Sequence, residues 1–146
     1  MQTLAKHTST AARVLLGLAF LVFGLNGFLG FLPMPEHAGE SGAFLGALAA
    51  TGYMFPLIKG TEVVVGLMLV TNRFVPLALT LLAPVMVNIV AFHAFFEPTS
   101  LGMPFALLAL QLFLVWAHRD AFAAVLSARA EPRAPKLATE RTAVTA

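Results

Sequence analysis

Four apolar runs dominate this chain: Val14 to Leu32, Tyr53 to Val70, Phe74 to Phe96, and Leu101 to His118. A bilayer-spanning helix needs roughly 20 mostly apolar residues, and each run is near that length. Backbone in hydrocarbon has no water to bond to, so such runs satisfy their N–H and C=O groups internally, as helices. The expectation is an all-α integral membrane four-helix bundle, up-down-up-down. Composition agrees, because only 11% of the 146 residues are charged and 59% are hydrophobic. A soluble domain carries roughly 25% charged residues.

A secretory signal is the competing reading of the first run, since Lys6 and Arg13 precede it. Its apolar part outruns the roughly 7 to 15 residues of a signal core, and no clear A-x-A cleavage site follows, so it reads as a retained helix. Lys and Arg in short loops mark the cytoplasmic side. Lys6 and Arg13 precede the first span, Arg73 separates the second and third, and Arg119, Arg129, Arg133, Lys136 and Arg141 follow the fourth. The opposite loops, "PMPEHAGESGA" and "EPTSLG", carry Glu36, Glu40 and Glu97 without a cation. Both termini are therefore expected in the cytoplasm, with anionic lipid and not nucleic acid as the partner of the basic residues.

Residues 1–12 read as a cytoplasmic N-terminal segment, 13–122 as the four-helix domain, and 123–146 as a cytoplasmic tail. From Glu131 the tail has two prolines, no aromatics and little apolar content, which predicts disorder. Between the first two spans, "GAFLGALAATG" is too short to cross and reads as a surface or re-entrant helix. After His118, Phe122, Val125 and Leu126 keep helical spacing, so the last helix is expected to continue.

Lys59 and Glu62 stand three apart inside the second span. Ionisable groups at this depth cost about 2.5 to 3.5 kcal/mol each on insertion scales and usually face a bundle interior. At 100° per residue, Lys59, Glu62, Gly66, Leu69 and Arg73 share one helix face. Counted from the basic ends at 1.5 Å per residue, Glu62 lies about 16 Å deep, Asn26 about 20 Å and Asn88 about 22 Å. Three polar groups from three spans at similar depth suggest a ligand site. Pro84 adds a kink that leaves the Thr80 carbonyl short of a donor. The alternative is structural: Lys59 and Glu62 neutralise each other, and the asparagines bond helix to helix.

Arg13, Gly17, Gly24 and Gly27 share a face of the first span, suited to close helix packing. His93 and Glu97 point the same way near the outer end of the third span, and with Glu36, His37 and Glu40 they form a weak metal candidate. A b-type haem needs facing histidines at one depth, and His93 and His118 lie at opposite ends. Gln111 reads as an interhelical hydrogen bonder, and His118 and Trp116 as residues of the lipid–water boundary. Without cysteine, the chain holds no thiol relay, cysteine-ligated iron–sulfur cluster or c-type haem.

The segments "RVLLGLAFLVFGLNGFLGF" (Arg13 to Phe31), "EVVVGLMLV" (Glu62 to Val70) and "APVMVNIVAFH" (Ala83 to His93) resemble the DoxX-like family of small bacterial four-helix membrane proteins. The resemblance covers roughly residues 11 to 122. It implies a bundle in the bacterial inner membrane associated with quinone-linked redox systems or oxidative-stress defence. The positions that carry over are Glu62, Asn26, Asn88 and His93.

The leading expectation is a membrane subunit of a redox system that binds a quinone-type or other small apolar ligand among its helices. There Glu62 would relay a proton, Lys59 would tune it, and Asn26, Asn88 and His93 would line the ligand. The first alternative is a non-catalytic subunit that anchors a larger complex, through protein partners or its own copies. A small transporter is the second.

Overall fold

The computed structural model describes residues 2–33, 36–123 and 125–128. Those residues form helices and turns without a strand. The longest helix, α1, runs Gln2–Leu29 and so begins well before the apolar run that defines the first span. Helix α2 covers Gly39–Ala50, α3 Met54–Val70, α4 Val75–Phe96 and α5 Gly102–Ala117. A single turn, Pro98–Ser100, joins α4 to α5, and a last short helix, α6, covers Arg119–Phe122.

Among the described residues, two segments are each long and apolar enough to cross a membrane, His7–Leu29 and Val75–Phe96. Helices α3 and α5 have 17 and 16 residues. At 1.5 Å per residue they reach only about 25 Å, short of a hydrocarbon core of about 30 Å. Four independent full-length spans were expected; α3 reaches spanning length only with α2, to which it is joined by a 90° bend. The bend follows from "TGY": Thr51 closes α2 through its hydroxyl on Leu48 O, and Gly52 takes φ +73°, open to glycine without steric cost. The expected surface or re-entrant helix is therefore α2.

Helices α1 and α3 pack along their whole common length and run antiparallel. A methyl group on Gly17 would meet Leu69 and Val70, one on Gly24 would meet Glu62 and Val63, and Gly27 faces the Lys59 stem. From the other side, Gly66 lies against the backbone of Leu21. Absent side chains at these points let the backbones approach, the main source of helix attraction where lipid removes the hydrophobic driving force.

Arg13, expected just ahead of the first span, lies within α1 and in this seam. Only 8% exposed, it donates from Nη1 to the carbonyls of Leu69 and Val70, the second at 3.2 Å. Those carbonyls end α3 and carry the negative pole of its dipole; Leu69 O also accepts the Asn72 N–H at 3.2 Å, and the guanidinium adds a charged donor to both carbonyls.

Further contacts join α3 to α4, α4 to α5, and α5 back to α1. Leu16, Val65, Leu69, Leu79, Leu82, Met86 and Leu114 fill the enclosed core. The α3–α4 turn is tight, with Asn72 and Phe74 at φ 57° and 54°. Asparagine tolerates that region, whereas phenylalanine enters it only under steric strain. At the far end, α5 stops at His118 and one helical turn follows, so the expected continuation is brief. The tail from residue 131, expected to be disordered, lies outside the described residues.

Candidate functional site

Lys59 and Glu62 form the ion pair that their spacing suggests. Lys59 Nζ stands 2.9 Å and 3.1 Å from the two carboxylate oxygens. Glu62 is 3% exposed, and its Cβ packs against Gly24 of α1. The Lys59 stem crosses α1 at Gly27, and its ammonium stands 5.9 Å from the Phe55 ring centroid. Both charges thus lie in the α1–α3 seam, each satisfying the other, where any larger residue on α1 would displace them.

Asn26 is buried but does not reach this pair. Its Oδ1 accepts the Leu32 N–H at 2.6 Å and its Nδ2 donates to the Leu32 carbonyl at 3.3 Å. This two-sided bond, made by the last turn of α1, fixes where the chain leaves the helix. Asn26 is therefore occupied as a cap, because an amide offers one acceptor and a small set of donors.

Asn88 points away from both. It is exposed, and its Nδ2 donates to the Pro84 carbonyl of its own helix at 2.9 Å. The inward side of α4 is Val75, Ala78, Leu79, Leu82 and Met86. Similar depth placed Asn88 level with Glu62; its angle around α4 places it on the opposite side. Since α4 is apolar nearly all round, hydrophobicity alone does not reveal that angle.

His93 also turns to its own helix, donating from Nδ1 to the Ile89 carbonyl at 2.8 Å. Of the residues expected to form a ligand site, only Lys59 and Glu62 are brought together. Gln111 meets its expectation, with Nε2 donating to Leu79 O of α4 at 3.1 Å. His118 bonds the Leu114 carbonyl at 2.9 Å.

A second cluster forms where α2 meets the end of α4. His37 Nδ1 donates to Glu97 at 2.5 Å, with both side chains about one-fifth to one-quarter exposed, at 21% and 25%. That hydrogen bond holds the Glu97 carboxyl below the usual carboxylate range, with smaller help from the charge of His37, from Ser41 and from His93, against partial desolvation. His37 meets Phe92 edge-on at 5.7 Å, and Phe44 of α2 stacks on Phe96 at 5.4 Å. Phe92 and Phe96 stand one turn apart on α4 and are themselves in contact.

The metal candidate drawn from His37, His93 and Glu97 does not assemble: among the described residues no three His, Asp or Glu side chains come together as a ligand set. His37 and Glu97 pair with each other, and His93 spends Nδ1 on a carbonyl. What the cluster offers instead is an imidazole oriented by a carboxylate, with Nε2 left for a proton or a ligand. The aromatic contribution of Phe44, Phe92 and Phe96 escapes sequence reading. Only the i, i+4 spacing of Phe92 and Phe96 signals it. Compared with known proteins, the chain matches no family model, no curated protein and no solved structure.

Proposed function

We propose that this chain is a non-catalytic anchoring subunit of a larger membrane assembly, and that the assembly is the quinone-linked redox system suggested by its resemblance to the DoxX-like family. The observation that carries this reading is the use made of the interior polar groups. Lys59 and Glu62 neutralise each other in a helix seam, Asn26 caps a helix exit, Arg13 caps another helix, and Gln111 ties α5 to α4. Groups spent on the fold are not free for a substrate; the exception is the other end of Gln111, whose Oε1 is buried and, among the described residues, accepts no hydrogen bond.

In this reading α1, α3, α4 and α5 form an up-down-up-down bundle in the bacterial inner membrane, with α2 on its outer face and both termini in the cytoplasm. The exposed Arg73 and Arg119 support that orientation, as does the lack of Lys and Arg in the opposite loops, 33–52 and 97–101. The short α3 and α5 are accommodated by local thinning of the bilayer and by tilt of the longer helices.

A second reading, ligand binding with proton transfer, is favoured by the His37–Glu97 dyad beside Phe44, Phe92 and Phe96. A flat headgroup would stack on the rings while His37 Nε2 bonded its oxygen. Purification in mild detergent separates the two. The anchoring reading expects a cofactor-bearing partner to co-purify and no quinone to travel with the chain alone. An isolated chain that retains a quinone, and loses it on His37→Ala, would replace the first reading with the second.

A further inference from the structure

We propose that the outward face of α4 centred on Asn88 is the contact surface for a second copy of this chain. Leu77, Leu81, Pro84, Asn88, Ala91 and Phe95 follow one another at spacings of four and three. That alternation is the 3.5-residue period of a helix-pairing seam. All are exposed except the half-buried Ala91, and none belongs to the inward face of α4. The row therefore faces outward on a helix long and apolar enough to cross a membrane.

Polar groups stand in the middle of this row. Asn88 lies about 12 Å from the Phe96 end of α4 and about 20 Å from the Val75 end, at 1.5 Å per residue, which puts it inside the hydrocarbon. Its bond to the Pro84 carbonyl uses one of its two amide N–H groups, and among the described residues the side chain makes no other hydrogen bond. The second N–H and the lone pairs of Asn88 Oδ1 lie on the outward side, where acyl chains supply neither donor nor acceptor. One turn away, Pro84 has no N–H to give the Thr80 carbonyl. An outward polar site of this kind is costly until something with matching groups covers it.

The matching groups are those of the same residue in another copy. A primary amide is its own complement: across a two-fold axis, the free N–H of each Asn88 meets the carbonyl oxygen of the other, making two equivalent bonds. Copies inserted in the same direction place that axis along the membrane normal, so the two α4 helices run parallel and cross at Asn88. The row carries no charge that would demand a charged partner. A single asparagine in an otherwise apolar seam also fixes register, because any sliding leaves both amides unpaired. This inference rests on the α4 geometry alone and does not depend on the redox reading.

The chain has no cysteine, so one introduced thiol reports one position. Purified full-length Leu81→Cys, reconstituted in liposomes and oxidised, is expected to cross-link to a dimer. Leu112→Cys, on the exposed side of α5, is expected not to. In the Leu81→Cys background, Asn88→Leu should lower the association constant about tenfold, a change of about 1.4 kcal/mol, while Asn88→Gln keeps most of it. Asn88→Leu removes an outward polar group and touches no core contact, so the fold is expected to hold. Helix content by circular dichroism checks this, and Asn88→Gln serves as the second variant. Equal cross-linking at positions 81 and 112, or undiminished association of Asn88→Leu, overturns the proposal. So does a wild-type chain that stays monomeric at every protein-to-lipid ratio.

Discussion

Replacing Gly66 by alanine tests whether backbone approach between α1 and α3 holds the fold together. The added methyl would lie 2.6 Å from the Leu21 nitrogen and 2.8 Å from its Cα and Cβ, against 3.4–4 Å for ordinary van der Waals contact. The obstacle is backbone and cannot rotate aside, so the helices must separate locally by about 1 Å, in a core that packs at crystal-like density. Such overpacking costs about 1–3 kcal/mol, and a backbone obstacle belongs in the upper part of that range. The gain in helix propensity from glycine to alanine offsets about 1 kcal/mol, leaving a net loss of about 1–2 kcal/mol. Gly60 supplies the control on the same helix, because a methyl there meets nothing within 4 Å. Gly60→Ala should be neutral or stabilising by up to about 1 kcal/mol. SDS titration from mild detergent, followed by the fluorescence of the sole tryptophan, Trp116, measures both variants. Identical midpoints for Gly66→Ala and Gly60→Ala would refute the close-packed seam.

The Lys59–Glu62 pair should behave non-additively in the same titration. Lys59→Met alone leaves a buried carboxylate unpaired and is expected to cost about 3–5 kcal/mol, whereas Lys59→Met with Glu62→Leu should cost less than that single change. Strict additivity would show that the two charges are independent. The His37–Glu97 contact should depend on pH in a definite direction. Since folding lowers the Glu97 pKa, its contribution is complete above the unfolded carboxylate value and is lost as pH falls through the lowered folded one. Protection factors at the start of α2, taken as exchange relative to the intrinsic rate at each pH, should therefore fall at acid pH in wild type and show no such step in Glu97→Gln. An identical acid step in both would place the cause elsewhere.

Much of the helical layout was legible in the residues themselves. Apolar runs of near-spanning length leave helices as the only way to satisfy backbone groups in lipid, and the glycine face of the first run already implied a close neighbour. The Lys59–Glu62 pairing followed from spacing alone, because residues three apart on a helix are adjacent whatever surrounds them. The partners of the single polar residues were less accessible. Depth along a helix can be counted from sequence, but rotation about its axis needs a contrast between faces, and α4 has almost none. Asn88 therefore matched Glu62 in height while facing the other way.

Sequence by itself determined the class: a helical, membrane-suited chain with an ion pair three residues apart in its second apolar run. Those features depend on composition and on the 3.6-residue repeat, which act locally. Asn88, His93 and His118 bond carbonyls one turn back on their own helices, whereas tertiary structure alone decided the partners of Arg13, His37 and Gln111. Arg13 reaches carbonyls 56 and 57 residues away, and His37 reaches a carboxylate 60 residues away. Contacts that distant exist only after the helices have packed, and packing depends on where the glycines allow one backbone to approach another.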